Sequence, residues 1–419
     1  MVVPTGDASD SPLNGDQSGL LHHFEMGPIR PPSEGSDRSL LLRVNRNCPW
    51  NQCRFCSSYG GRRFEYRRLD AVQRDIDVVK GIVEFLQAAS RELGLGGTVS
   101  QEVVDRIIKS HPDVYGQEST GTEELSARFS SLMNVANWLA SGARTVFLQD
   151  ADAIIMRPPE MVRVLEHLRA AFPTIERITS YARAKTASQR TPEELQSLHD
   201  AGLSRLHMGL ESGCDEVLLL MKKGVTAEEL IAAGQKIRAA GITLSEYVMP
   251  GLGGVRWSER HARDTSEVLN QISPDFTRLR SLIVRRGSGL AELEEAGDFQ
   301  TLDEDGVVDE IALLVENLYC ESYLVSDQMS NLLPEVEGKL PEDKAAILDT
   351  LRRYQHMPRR DRLRLQLQRR ARSFVSVYGG MPEDLSEVIV LASQALDDQG
   401  SDPIPLVNAA LARLKQGFV

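Results

Sequence analysis

The chain is 419 residues long, carries a net charge of −12 and is 41% hydrophobic, which suits one large domain or two ordinary ones. That acidity argues against a general binder of nucleic acid or membrane surfaces and leaves only local patches open. No apolar run approaches the roughly 20 residues that span a bilayer, and the N-terminus, MVVPTGDASD, lacks the basic start and apolar core of a secretory signal. With five cysteines and no export signal, the expected compartment is a reducing cytoplasm, where clustered thiols bind metal or do redox chemistry more often than they form disulfides.

Residues 1–36 are rich in Gly, Pro, Ser and Asp and read as a flexible N-terminal arm. SLLLRV, from Ser39 to Val44, is a short apolar run expected to be a buried strand. After a cysteine-bearing loop, Leu69, Val72, Ile76, Val79, Val83 and Leu86 recur at the period of an amphipathic helix. From about 92 to 132 the pattern weakens, as in an insertion with a helix of its own. Strands are then expected from Thr145, Ile175, Ser204, Ile242 and Asp275, with helical patterns between them. Two of those helices open with capping boxes, Thr191 to Glu194 and Thr226 to Glu229, and two close at Gly202 and Gly241. Strand then helix, six times, means βα units on a parallel sheet. The expected fold is α/β, a partial (β/α)6 TIM-like barrel over residues 37–288, with a doubly wound open sheet as the alternative. Residues 289–419 show no strand repeat, and starts such as Thr301 to Glu304 suggest a mostly helical C-terminal region.

Cys48, Cys53 and Cys56 are spaced C-x4-C-x2-C. Three thiols cannot pair off into disulfides and fall one ligand short of a closed tetrahedral zinc site. A [4Fe–4S] cluster held by three thiolates would keep one iron free for a small chelating ligand. Eight arginines between Arg43 and Arg74 favour the thiolate form. The loop also leaves the C-terminal end of the first strand, where parallel barrels place their active sites. The alternatives are a zinc site completed by a distant His or by Cys214 or Cys320, or three unconnected cysteines.

These residues resemble the radical S-adenosylmethionine (SAM) superfamily, whose usual motif is C-x3-C-x2-C with an aromatic residue before the last cysteine. Phe55 takes that place here, and the first gap is one residue longer. The resemblance runs on through YGGRRF, FLQDADAI, YARAKT, MGLESGCDEVLLLMKKG and YVMPGLGG, and is similar to the branch with anaerobic coproporphyrinogen dehydrogenase and methylthiotransferases. It implies cluster ligation by Cys48, Cys53 and Cys56, and reductive cleavage of SAM to a 5′-deoxyadenosyl radical that abstracts hydrogen from an unassigned organic substrate. It also implies an electron donor such as flavodoxin or ferredoxin. Phe55 would contact the adenine region. Gln149, Asp150 and Asp152 would receive the SAM amino group, although the family's glycines are missing there and an Asp in such a turn also caps helices. Arg183 would pair with the SAM carboxylate, and Glu211 and Ser212 would hydrogen-bond the ribose or the amino acid moiety. Lys222 and Lys223 match a basic position of relatives, and the glycines of MPGLGG (Met249 to Gly254) would admit adenine or substrate.

Cys214 and Cys320 are too few for a second cluster, so a single one is expected. Arg352 to Arg372 holds nine arginines and could grip RNA phosphates, or it is a helix face paired with acids elsewhere. Two other classes compete with an enzyme. One is a haem- or cofactor-binding protein on the same fold, for which His22 and His23 are candidates; the other is a structural zinc protein.

Overall fold

The computed structural model describes residues 22–29, 38–115, 123–398, 400 and 402–418. The rest of the expected N-terminal arm lies outside the described residues. Two compact units divide the chain. One draws on Met1–Pro49, Arg63–Ala182 and Thr191–Leu206, the other on Trp50–Arg62, Arg183–Arg190 and His207–Val419.

In the first unit, strand β1 (Ser39–Arg43) is followed by the short antiparallel pair β2 (Asn45–Arg46) and β3 (Glu65–Tyr66), then by β4 (Thr145–Gln149), β5 (Arg177–Ala182) and the start of β6 (Leu203–Glu211). β1 pairs with β4, and β4 with β5, both parallel, with Leu42 opposite Leu148 and Leu148 opposite Ser180. Leu40, Leu41 and Leu42 are all buried. A parallel strand covered on both faces needs such a continuous apolar run rather than alternation. The helix Leu69–Glu92 buries Val72, Ile76, Val79 and Leu86 and packs against Glu123–Ala140 and Pro158–Ala171. The 92–132 stretch contributes the helices Gln101–Ser110 and Pro112–Tyr115 and the start of Glu123–Ala140.

Residues 22–29 depart from the expected flexible arm. Phe24 is 2% exposed and its amide meets Ser131 Oγ. Glu25 pairs with Arg43, Arg46 and Arg67. An apolar anchor and three ion-pair partners order a stretch whose composition alone reads as unstructured.

The second unit holds the end of β6, then β7 (Thr243–Val248), β8 (Phe276–Leu279), β9 (Ser322–Val325) and β10 (Gly338–Leu340). β7–β8 and β8–β9 are parallel and β9–β10 is antiparallel. This is the α/β class expected, a TIM-like arrangement of βα units. The correction lies in the C-terminal region, which adds two strands to its helices. The capping boxes at Thr191 and Thr226 form as read. The one expected at Thr301 does not: Asp303 caps the helix Glu304–Asn317 by accepting from the Gly306 amide at 2.8 Å.

Glu304 has another task. It is buried and accepts from Arg370 at 2.9 and 2.7 Å and from Lys415 at 2.7 Å, tying Arg359–Tyr378 and Ile404–Gln416 to its own helix. Four more arginines of the run are similarly spent. Arg362 meets Asp305, Arg364 meets Asp397, Arg369 forks onto Glu335, and Arg360 caps carbonyls at the end of Glu383–Asp397. Burial raises the Glu304 pKa and the two cations more than reverse it, to about 2. The group therefore stabilises the fold fully above the ordinary value of 4.5, and the contribution is lost as pH falls toward 2. E304Q, which leaves two cations facing an amide, should cost about 3 kcal/mol in urea unfolding at neutral pH. The gap to wild type should close as the pH is lowered; a gap independent of pH would contradict the assignment.

Candidate functional site

The cysteine loop from Trp50 to Arg62 belongs to the second unit and is fastened there by backbone bonds. Arg54 donates its amide to Met221 O at 3.0 Å and accepts from Leu290 N at 2.9 Å, and its guanidinium reaches Leu220 O at 2.9 Å. The Cys56 amide closes a turn onto Cys53 O at 3.1 Å, so these two cysteines share one tight turn. None of the five cysteines is in a disulfide; Cys48 and Cys53 are half-buried and Cys56 is exposed. Phe55 packs beside the buried group of Cys214, Val217, Met221, Leu252, Leu282, Leu290 and Phe299.

Lys223 is the centre of this side-chain cluster. Its Nζ lies 3.1 Å from Glu211 Oε1 and 5.7 Å from the Phe55 ring centroid. Burial lowers the ammonium's pKa, but Glu211 and then Cys53 more than reverse this and hold it above the ordinary lysine value. A cation beside Cys53 favours its thiolate. Gly209 leaves the room: a Cβ there would fall 2.3 Å from Glu211 Oε1 and 2.9 Å from Lys223 Nζ. Arg183 donates to Lys223 O at 3.4 Å and sits 5.4 Å over the Trp50 ring. The second unit thus brings Cys53, Phe55, Arg183, Glu211 and Lys223 together.

Glu246, on β7, was not singled out by the sequence, because it stands inside the apolar run of a strand. It is fully buried, and neither carboxylate oxygen completes a hydrogen bond. Desolvation, with repulsion from Glu211, pushes its pKa well above the ordinary 4.5, against the pull of Lys223.

Ser212 is not open to a ligand. Its buried Oγ meets His261 Nδ1 at 2.8 Å and accepts from the Cys214 amide at 3.0 Å. His261 Nε2 lies 3.2 Å from Met249 O, which can only accept. The ring is therefore the Nε2–H tautomer, accepting from Ser212. Glu310 accepts from Gly251 N and Ser258 Oγ, each at 2.6 Å. Ser212, His261 and Glu310 thus hold the MPGLGG loop in place. Burial pushes Cys214 and Cys320 up to about 11, so both stay thiols. The cluster of Cys214, Glu216 and Asp264 has its carboxylates paired with Arg260.

In the first unit, Gln149 and Asp150 are hydrogen-bonded to the chain's own groups. The Gln149 amide accepts from Gly27 N at 2.8 Å and donates to Gly27 O and Ile29 O at 3.0 and 2.6 Å. Asp150 is 1% exposed and accepts from Arg43 Nε at 2.6 Å and Asn47 N at 2.9 Å. Asp152 is buried as well, with its carbonyl 3.4 Å from Asn45 Nδ2. These groups are committed to fixing the backbone on either side of β1 and β4.

Residues 133–264 match the Radical SAM superfamily model. Among curated relatives, the chain is 26% identical over 122 residues to the tRNA uridine(34) acetyltransferase of Methanocaldococcus infernus, covering 29% of this chain and 23% of that protein. It is 31% identical over 147 residues to the tRNA-2-methylthio-N(6)-dimethylallyladenosine synthase of Bordetella petrii, covering 32% and 30%. Coproporphyrinogen III oxidase from Escherichia coli aligns over 67% of this chain and 53% of its own at 17% identity, with a TM-score of 0.40. Over residues 133–264 the chain is thus similar to the radical SAM superfamily. It spans under a third of the length of either curated relative, and the match to the superfamily model begins well after the cysteine loop.

One test belongs to Glu246. Because its folded pKa is raised, the unfolded chain ionises first, and the protein loses stability as pH climbs above about 4.5. E246Q should abolish that slope in the apoprotein, so that its stability relative to wild type rises with pH in urea titrations. Parallel curves would show that Glu246 ionises normally.

Proposed function

We propose that this chain is a radical SAM enzyme in which Cys48, Cys53 and Cys56 ligate one [4Fe–4S] cluster. The observation that carries the reading is the Lys223 ammonium, held by Glu211 beside Cys53 on a loop whose cysteines form no disulfide. Thiol donors suit iron, and an adjacent cation offsets the negative charge that thiolate ligation concentrates. When bound, the reduced cluster supplies the electron that splits the SAM sulfonium into methionine and a 5′-deoxyadenosyl radical.

This chain's own residues bind and orient SAM. With Gln149 and Asp150 committed elsewhere, Glu211 is the carboxylate of this cluster suited to accept hydrogen bonds from its ammonium or ribose hydroxyls. Arg183 and Lys223 are the cations suited to its carboxylate. Phe55 offers a ring edge for adenine. Ser212, His261 and Glu310 act one step back, by setting the loops from which those groups project. The relatives' names point to tRNA as a substrate class, and a small organic molecule is the alternative. Within Arg352–Arg372, the five less exposed of the nine arginines are paired internally, which leaves Arg352, Arg353, Arg359 and Arg372 as its exposed cations. A flavodoxin or ferredoxin would supply the electron.

Anaerobic reconstitution with iron and sulfide should give about four irons per chain, and SAM with dithionite should yield 5′-deoxyadenosine. Each of C48A, C53A and C56A should lose both. Full activity in any one variant would refute the ligand assignment, and zinc without iron in wild type would refute the reading.

A further inference from the structure

The first gap of the cysteine motif holds four residues, Pro49 to Gln52, one more than C-x3-C. Trp50 and Asn51 absorb the difference. The Trp50 indole lies flat on the backbone of Gly224, whose φ is +73°; a Cβ there would fall 2.5 Å from two ring carbons. Its Nε1–H donates to Lys222 O at 2.7 Å, and the Arg183 guanidinium lies 5.4 Å from the ring centroid. Asn51 adopts a left-handed conformation, φ 49°, and its Nδ2 donates to Tyr59 O at 2.7 Å and Arg62 O at 3.0 Å.

The carbonyl that Trp50 holds belongs to Lys222, itself left-handed at φ 50°. The next residue is Lys223, whose ammonium sits between Glu211 and the Phe55 ring. We propose that Trp50 is a positioning residue. It clamps the lengthened loop onto the Lys222–Gly224 turn, and through that turn fixes the Lys223 charge beside the cluster ligands. The inference about charge rests on the proposed cluster; the clamp itself does not.

Two measurements on the full chain separate these. In the apoprotein, hydrogen exchange followed by mass spectrometry reads the opening of residues 50–62. W50A and G224A should speed exchange there about tenfold, and W50F, which keeps the ring and loses the N–H, by less. The helix Gly254–Ile272 should not change. In reconstituted protein, an EPR-monitored redox titration reads the cluster's midpoint potential. K223Q removes a positive charge and should lower it. W50F should lower it in the same direction and add nothing in the W50F/K223Q double variant. Unchanged exchange in W50A, or a W50F shift that persists in full without Lys223, would overturn the proposal. If G224A fails to fold by circular dichroism, W50F and W50A still decide. Faster exchange in a protein that takes up zinc rather than iron would support the clamp, overturn the part concerning the cluster's potential and count against the proposed function.

Discussion

A buried ammonium in a low-dielectric interior is costly unless a carboxylate and a polarisable neighbour surround it. Lys223 has both, in Glu211 and the Phe55 ring, and much of the second unit is arranged to provide them. Glu211 and Lys222 are both non-glycine residues in the left-handed region, a conformation that surrounding structure must enforce. The short helix Asp215–Leu220 is the spacer that returns the chain from one to the other. Arg54, pinned on three sides by Met221, Leu220 and Leu290, brings the cysteine loop to the same place.

The second unit also holds another, largely buried polar layer. Ser212, His261, Met249 O, Gly251 N, Ser258 and Glu310 form a chain of hydrogen bonds that joins the end of β6, the MPGLGG loop and two helices. Such a network is worth more than its pairwise sum when every member is satisfied. Its position makes it a support for side chains that touch ligand, rather than a contact surface. The C-terminal helices are tied in by the Glu304–Arg370–Lys415 group, and the arginine run is the cement of that layer.

The fold was legible where the sequence carries a period. Six strands follow from apolar runs at regular spacing, and two helix starts from Thr-to-Glu boxes. β9 and β10 were not, because four and three residues are too short for any alternation to show. Local motif and spacing mark Cys53, Phe55, Arg183 and Glu211, which the second unit gathers around Lys223. The partners of Gln149 and Asp150, Gly27 and Arg43, were not legible because they lie more than 100 residues away. The partner of Ser212, His261, lies 49 residues on and was hidden in the same way. Glu246 was hidden by the apolar run around it, whereas Lys223 was marked with Lys222 as a basic position but not as a buried one. Nothing local says that a polar side chain is buried or already bonded.

The account's central claim is that three thiolates of this loop hold a cluster with one iron left open to SAM. The direct measurement is the EPR spectrum of the reconstituted, dithionite-reduced protein, recorded before and after SAM is added. The account predicts a reduced [4Fe–4S] signal whose g-values shift on SAM binding and which is absent from C53A. A signal indifferent to SAM, or no iron signal with zinc bound in its place, would contradict it.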